Sequence, residues 1–199
     1  MSTATNVTAQ AVNTIEWLSA SGTTIVVPVY QRQYRWDIGG CEKLLADVRA
    51  VAASNDAHTH FIGSILSSES TAVTTGPDDV AELVLIDGQQ RITTLMLLVA
   101  ALHHTVRADN PVLAAEPERV LVRASAPHRT KLRPHRAWAE VFEKVVLEKT
   151  GEHEARDSRF DDNYAFFRSQ IRADEVAHIW RGLQKLEHVA ITLGADANA

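Results

Sequence analysis

The sequence contains almost no cysteine. Its 199 residues include one, Cys41, so an internal disulfide is excluded. No other Cys or His stands at ligand spacing from Cys41, and the sequence therefore does not suggest a structural zinc site. We expect Cys41 to be an ordinary thiol.

Long apolar runs are also missing. No window approaches the roughly 18 to 20 uninterrupted apolar residues that a membrane span needs, so we expect no membrane partner. The first residues do not combine a basic region with an apolar stretch, and a signal peptide is not indicated. The cytoplasm is the expected location.

An excess of positive charge, which many nucleic-acid-binding proteins carry, is absent as well. The net charge of −5 argues against a protein that binds nucleic acid over its whole surface. The stretch 119–136 nevertheless holds six Lys or Arg residues and no Asp or Glu. It is either a local basic strip or a solvated loop whose charges pair with acidic neighbours.

The hydrophobic content of 45% is enough for a real core, and its periodicity predicts an α+β fold. Short β-branched or apolar runs between turn residues predict strands at 24–27, 61–66, 83–86 and 188–193. Apolar residues at helical spacing predict helices at 12–19, 37–54, 90–106, 135–149, 160–172 and 174–187. The connector 67–82 is rich in Ser, Thr, Gly, Pro and Asp and is expected to be a loop.

The most informative segment runs from the strand at 83–86 through Asp-Gly-Gln-Gln-Arg directly into a helix. Gly88 permits a positive φ, and the free N–H groups of a helix start attract anions. Arg91 adds a planar set of donors that suits a phosphate, while Asp87 is placed to hold a hydrated divalent metal or to orient a water. The alternative is a capped turn whose polar side chains satisfy backbone groups. A Walker loop is excluded, because its glycines and lysine are missing.

A second segment sets aromatic residues among arginines and glutamines. Stacking, phosphate contact and base-edge recognition suit these residue types, so the segment is a candidate DNA-sensing surface. Its members are Tyr30, Gln31, Arg32, Gln33, Tyr34, Arg35 and Trp36. The alternative is that Tyr34 and Trp36 pack inward while Arg32 and Arg35 form structural ion pairs.

A third segment, Phe-Ile-Gly-Ser-Ile-Leu, places Gly63 inside a predicted strand. Glycine at such a position indicates that another backbone or a ligand comes close, and Ser64 would reach that ligand. A small-residue bend in the core explains the pattern equally well.

Together, VPVYQRQYRW, FIGSIL and VLIDGQQRITTL resemble the N-terminal domain of the GmrSD restriction family. The resemblance is firm over about 23–106 and looser beyond, and the YQRQYRW run favours the members that act with DNA phosphorothioation. It implies a ParB/sulfiredoxin-like small sheet followed by a mostly helical C-terminal part. Residues 1–110 would form the nucleotide-binding and DNA-sensing core, and 111–199 a helical extension that ends before a downstream His-Asn-His type nuclease domain.

The resemblance also implies an activity, hydrolysis of a nucleoside triphosphate with a divalent metal, Mg²⁺ being expected. Asp87, as the metal or water ligand, would join Gln89, Gln90 and Arg91 in catalysis. The expected triphosphate-binding residues are Gly88, Gln89, Gln90, Arg91, Thr93, Thr94, Gly63 and Ser64. DNA that carries a modification, expected to be phosphorothioate, would bind at residues 30–36. This binding would permit cleavage by the nuclease domain.

Two other functions remain open from the sequence. The domain could bind DNA or nucleotide without hydrolysis, or nick DNA itself with metal held by Asp87 and nearby carboxylates.

Overall fold

The computed structural model describes residues 6–20, 22–70, 81–148 and 158–194. The helices are α1 (Thr14–Ser19), α2 (Ile38–Ala53), α3 (Gln89–Val106), α4 (Pro111–Leu121), α5 (Arg136–Leu147), α6 (Arg159–Gln170) and α7 (Val176–Leu183), with a 3₁₀ turn at Ala173–Glu175. The strands are β1 (Val7–Asn13), β2 (Thr23–Val26), β3 (His60–Glu69), β4 (Ala81–Asp87), β5 (Leu132–Arg133) and β6 (Leu186–Leu193). The predicted α+β class is confirmed.

The strands form one mixed sheet in the order β1-β6-β3-β4-β2-β5. β6 lies between β1 and β3, antiparallel to the first and parallel to the second. β4 pairs antiparallel with β3 and parallel with β2. The C-terminal strand therefore belongs to the interior of the sheet that carries the Asp-Gly-Gln-Gln-Arg turn.

Helix α3 forms the centre of the hydrophobic core. Every residue from Leu95 to Leu102 is at most 1% exposed, as expected for a helix that is apolar on all sides. α4 and α6 pack against it. Since α3 begins at the Asp-Gly-Gln-Gln-Arg turn, the core holds that turn in place. No helix among the described residues is long and apolar enough to cross a membrane.

The N-terminal strand was not predicted, and the helix predicted at 12–19 is shorter. Residues 7–11 of β1 are exposed, because β1 is an edge strand, so its sequence has no buried alternation. Val12 lies in β1 and pairs with His188. α1 begins at Thr14, where the Asn13 side chain accepts a hydrogen bond from the Glu16 amide and ends the strand.

Two other parts of the C-terminal half differ from the prediction. α4 was missed because Pro117 lies within it, although Asn110 caps its start and Pro111 occupies the first turn. The helix predicted at 174–187 is too long, because α7 ends at Leu183 and β6 already begins at Leu186. The loop predicted at 67–82 is strand at both ends, and 71–80 lies outside the described residues.

In the stretch 119–136, the contacts favour charges that pair within the fold over a local basic strip. Arg129 forms an ion pair with Glu143, and Arg133 with Glu82. Lys131 is 3% exposed, and its Nζ donates to the Ala20 carbonyl oxygen. Much of this positive charge is therefore used within the fold.

Cys41 is completely buried in α2. Burial, with a smaller contribution from the charge of Asp37, raises the pKa of its thiol to about 12. The thiol is therefore less reactive than the ordinary thiol that the sequence led us to expect.

Candidate functional site

The strand-to-helix turn has the backbone geometry that its glycine suggested. β4 ends at Asp87, α3 starts at Gln89, and Gly88 between them has a φ of +89°. A Cβ on Gly88 would lie 3.1 Å from Ile65 Cγ1. The predicted positive φ at Gly88 is confirmed, and both backbone strain and close packing require glycine there.

The first turn of α3 offers backbone donors. The Gly88 N–H donates to Asp87 Oδ1 at 2.8 Å, and no side-chain hydrogen bond caps α3 in the described part of the chain. The N–H groups of Gln89 and Gln90 are thus available at the positive end of the helix dipole. This arrangement suits an anion.

Arg91 reaches from α3 to the bulged part of β3. Its Nη1 donates to the Ser64 carbonyl oxygen at 3.1 Å. A Cβ on Gly63 would lie 3.2 Å from both Nη atoms and 3.3 Å from Cζ, so the guanidinium lies face-on to this glycine. The close approach predicted at Gly63 is made by the Arg91 side chain, and Ser64 contributes its carbonyl. No other hydrogen bond of the Arg91 guanidinium is found among the described residues, so its remaining N–H groups suit an anion.

Gly63→Ala should displace Arg91. Gly63 has a φ of +100°, and the new methyl group would also press on the guanidinium. We expect a loss of about 1–3 kcal/mol in the free energy of unfolding together with weaker triphosphate binding. Urea unfolding and a binding titration measure the two effects.

Gly22→Ala is the matched control for that substitution. Gly22 has a φ of +81°, and no atom of the described residues lies within 4 Å of the Cβ position. It should therefore reproduce the backbone strain and leave triphosphate binding unchanged. Equal binding by the Gly63 and Gly22 variants would contradict the role assigned to Gly63.

Three glutamines join the turn to the segment 30–36. Gln31 Nε2 donates to the Ile86 carbonyl oxygen at 2.7 Å, and Gln89 Nε2 donates to the Arg32 carbonyl oxygen at 3.3 Å. Gln90 Oε1 accepts from the Arg35 N–H at 2.8 Å, and its Nε2 donates to the Gln33 carbonyl oxygen at 3.2 Å. We call these contacts the glutamine bridge. Because the side chains of Gln89 and Gln90 face the segment, a phosphate at this turn would be contacted by their backbone amides.

A buried chain of polar groups strengthens the same connection. The Asn163 Nδ2 donates to Tyr34 Oη at 2.8 Å, Tyr34 Oη pairs with Thr94 Oγ1 at 2.7 Å, and Thr94 Oγ1 donates to the Gln90 carbonyl oxygen at 2.8 Å. Tyr34 is 8% exposed, and burial raises the pKa of its hydroxyl. This chain ties α6 and the segment 30–36 to the first turn of α3.

The structure corrects the expected roles of Thr93, Thr94 and Tyr34. Thr93 is 4% exposed and Thr94 is fully buried, so their hydroxyls do not face a phosphate at the surface. Tyr34 lies in the core, so it is not part of the exposed surface of the segment 30–36. For Tyr34 and the half-buried Trp36, the alternative of inward packing holds.

The rest of the segment is accessible. Tyr30 is 75% exposed, and Arg32, Gln33 and Arg35 are exposed as well. Among the described residues neither arginine forms an ion pair, so the structural ion pairs considered as an alternative are not found. The exposed members form one surface immediately beside the Asp-Gly-Gln-Gln-Arg turn.

Asp87 is the residue that the sequence suggested as a metal ligand. No group of three or more His, Cys, Asp or Glu side chains that could hold a metal occurs in the ranges that the structure describes. Asp87 is exposed, and Oδ1 accepts from the Gly88 N–H. Mg²⁺ usually keeps several waters and takes one or two carboxylates together with substrate phosphates, so Asp87 beside a bound triphosphate fits it.

His188 was not singled out from the sequence. It is completely buried, its Nδ1 lies 3.0 Å from Thr14 Oγ1, and its Nε2 has no partner in the described residues. Burial, and secondarily the charge of Arg91, lowers its pKa to about 4. His104 is also buried, and burial lowers its pKa to about 4.

These histidines predict a loss of stability in mild acid. Their pKa values are lower in the folded chain than the ordinary 6.5, so the unfolded chain takes up protons first. The free energy of unfolding should be at its full value above pH 6.5 and fall towards pH 4, by up to about 1.4 kcal/mol per pH unit for each histidine. Urea unfolding from pH 7.5 to 5 measures this slope. His188→Gln should reduce the slope, and an unchanged slope would contradict the assignment.

A comparison with protein-family models identifies the family of this chain. Residues 15–198 match the model of the GmrSD restriction endonuclease, N-terminal domain. A search of curated proteins found no match. The match covers the sheet from Ile15 onward, the Asp-Gly-Gln-Gln-Arg turn and the segment 30–36. The chain therefore belongs to the GmrSD restriction endonuclease N-terminal domain family and is a domain of an anti-phage restriction system.

Proposed function

We propose that this domain hydrolyses a nucleoside triphosphate and that DNA contact at the exposed part of the segment 30–36 controls the hydrolysis. The single observation that carries the proposal is the glutamine bridge. It connects a surface suited to DNA with a turn suited to phosphates through side chains that touch both. A displacement of the segment would therefore be transmitted to the first turn of α3.

The phosphate part of the proposal depends on backbone and Arg91. The amides of Gln89 and Gln90 would bind the phosphate oxygens, and Arg91 would neutralise the charge that develops on them during transfer. Gly63 and the Ser64 carbonyl oxygen hold Arg91 in place. Mg²⁺ would supply charge neutralisation across the phosphates when bound, and Asp87 would contribute its carboxylate.

The DNA part of the proposal concerns Tyr30, Arg32 and Arg35. The arginines attract the phosphate backbone, while the Tyr30 ring offers an apolar face. A phosphorothioate sulfur is larger and less strongly hydrated than oxygen, so contact with an aromatic ring costs it less. This makes phosphorothioate DNA the preferred partner, with cleavage carried out by a nuclease domain that this chain would regulate in the cytoplasm.

A phosphate-release assay with Mg²⁺ and ATP or GTP tests the proposal. We expect turnover that falls on addition of EDTA and that changes on addition of a duplex with one phosphorothioate at a stated salt concentration. Triphosphate binding without phosphate release would instead support a non-hydrolytic binding module. Supercoiled plasmid converted to nicked circles by the chain and Mg²⁺ would support a nicking domain.

Tyr30→Ala tests the surface directly. The ring is exposed, so the substitution should change the free energy of unfolding by less than about 0.5 kcal/mol. We expect the difference in affinity between phosphorothioate and ordinary duplexes to disappear. A fluorescence-anisotropy titration measures it, with Val112→Ala as an equally exposed apolar control far from the site in sequence, on α4. Retention of the difference in the Tyr30 variant would exclude Tyr30 as the sensor.

A further inference from the structure

Lys131 is buried in a way that is unusual for a lysine. The residue is 3% exposed, although lysine side chains are rarely buried without a charged partner. Its Nζ donates to the Ala20 carbonyl oxygen at 2.8 Å, and no carboxylate forms an ion pair with it in the described ranges. An ammonium group has three N–H donors and no acceptor. Two of these donors therefore have no hydrogen-bond acceptor among the described residues.

Lys185 shows how the same chain accommodates another lysine of low exposure. Its side chain is 11% exposed, and the carboxylate of Asp56 lies 3.9 Å from its Nζ. The same Nζ donates at 3.0 to 3.3 Å to three backbone carbonyl oxygens, those of Val51, Ser54 and Asn55. Lys185 thus has an acceptor for each donor and a negative charge close by. The contrast indicates that the ammonium of Lys131 takes its missing partners from outside the chain.

A small cavity adjoins the Lys131 side chain. Its volume is about 50 Å³, and its lining residues come from α1, β2, β4 and β5 and the loop after α1: Trp17, Ala20, Thr23, Ile25, Leu83 and Lys131. Because Nζ of Lys131 donates to Ala20, which also lines the cavity, the ammonium lies at the cavity wall. A water molecule takes up about 30 Å³ in the liquid. The cavity therefore has room for one small ion and is too small for a nucleotide.

The chemistry of the lining favours an anion. Ile25 and Leu83 give the cavity apolar walls, while Trp17 and Thr23 carry an indole N–H and a hydroxyl that can donate. None of the described residues that line it is an Asp or a Glu. Burial lowers the pKa of Lys131, so the charged ammonium is costly at this place unless a negative charge lies beside it.

We infer that this cavity binds one small monovalent inorganic anion, such as chloride, on the ammonium group of Lys131. The anion would accept the hydrogen bonds that the chain leaves unmade and would offset the buried charge. It would also connect the end of α1 at Ala20 with β2 at Ile25 and β5 at Lys131. None of these lining residues belongs to the Asp-Gly-Gln-Gln-Arg turn or to the segment 30–36, so this binding is independent of the proposed function.

Urea unfolding at constant ionic strength tests the anion site. Sodium chloride is exchanged stepwise for sodium gluconate, whose anion is too large for a cavity of about 50 Å³. A ligand that binds only the folded chain lowers the unfolding equilibrium constant as its concentration rises above its dissociation constant. We expect this constant to be about tenfold lower in about 150 mM chloride than in gluconate, for a dissociation constant on the order of 15 mM.

Two variants assign the chloride effect to Lys131. Lys131→Met removes the ammonium and keeps most of the apolar stem, so the difference between chloride and gluconate should disappear. Lys185→Met removes an ammonium that has protein partners, so it should lower stability and keep the tenfold difference. An equal chloride effect in the wild type and Lys131→Met would overturn the inference. So would a wild-type chain that unfolds alike in chloride and gluconate.

The ³⁵Cl NMR line provides a measurement on the wild-type chain alone, which decides the matter even if Lys131→Met does not fold. Chloride that exchanges with a protein site broadens this line. Broadening that saturates over the same chloride range as the stabilisation, and that bromide reduces by competition, supports the site. Broadening that does not saturate would indicate only weak association with the protein surface and would overturn the inference.

Discussion

Arg91→Ala is expected to lower triphosphate hydrolysis by at least ~100-fold. Removal of one preorganised donor from a developing oxyanion commonly costs this much, and loss of an arginine from phosphoryl transfer often costs more. Arg91 is half-buried, and its Nη1 donates to the Ser64 carbonyl oxygen. This hydrogen bond fixes the plane of the guanidinium and therefore the direction of its other N–H groups. Steady-state phosphate release with Mg²⁺ measures the effect.

Two other variants test whether the loss of hydrolysis is specific to the Arg91 side chain. Arg91→Lys keeps the charge and loses the planar set of donors, so its rate should lie between those of the wild type and Arg91→Ala. Arg119→Ala removes an exposed arginine on α4 and should leave the rate unchanged. Wild-type turnover by Arg91→Ala, in a variant that unfolds at the wild-type urea concentration, would remove the phosphate role of Arg91.

Tyr34→Phe is expected to have the second large effect. The substitution deletes the hydroxyl that accepts from Asn163 and pairs with Thr94, and it leaves these buried groups with fewer partners. We expect a loss of about 1–3 kcal/mol in the free energy of unfolding. The response of hydrolysis to DNA should weaken as well, because the segment 30–36 is held less firmly against α3.

Tyr30→Phe is the matched control, since it removes the same hydroxyl from a tyrosine that is 75% exposed. Its free energy of unfolding should stay within about 0.5 kcal/mol of the wild type. Urea unfolding and DNA-dependent phosphate release, measured on both variants, separate the buried connector from the exposed surface. Equal stability of the two variants would contradict the structural role of Tyr34.

The strand-to-helix turn could be predicted from the sequence because its determinants are local. A buried strand, a glycine and an apolar helix follow one another within about twenty residues, and the positive φ of Gly88 follows from that succession. The same holds for α2, whose start at Ile38 is set by the cap of Asp37. Local signals of this kind act on the backbone directly.

The partners of the side chains could not be predicted. Gln90 faces the segment 30–36 because β2 lies beside β4 in the sheet, and the two contacting segments are more than fifty residues apart. Tyr34 packs against Phe160 of α6, and Asn163 on the same helix donates to its hydroxyl. Spacing within one segment carries no information about such contacts. The sequence alone therefore places the hydroxyls of Thr93 and Thr94 at a phosphate and leaves the inward packing of Tyr34 as one of two alternatives.

The positions of the aromatic residues in α5 and α6 could be predicted in part from the sequence. Helical spacing predicts that Trp138 and Phe160 belong to the core, and Phe160 is 4% exposed. The same two rings also line a cavity of about 200 Å³, because the first turns of α5 and α6 lie beside the segment 28–34. Periodicity identifies which residues turn inward, but the shape of the space between helices depends on the complete fold.

The central claim is that the glutamine bridge couples the DNA surface to the phosphate site. The most direct test is the affinity of the chain for a non-hydrolysable triphosphate. It is measured with and without a saturating phosphorothioate duplex. Coupling requires that DNA change the triphosphate affinity and that triphosphate change the DNA affinity by the same factor, expected to be about 5-fold or more. An identical triphosphate dissociation constant in the presence and absence of bound duplex would contradict the account.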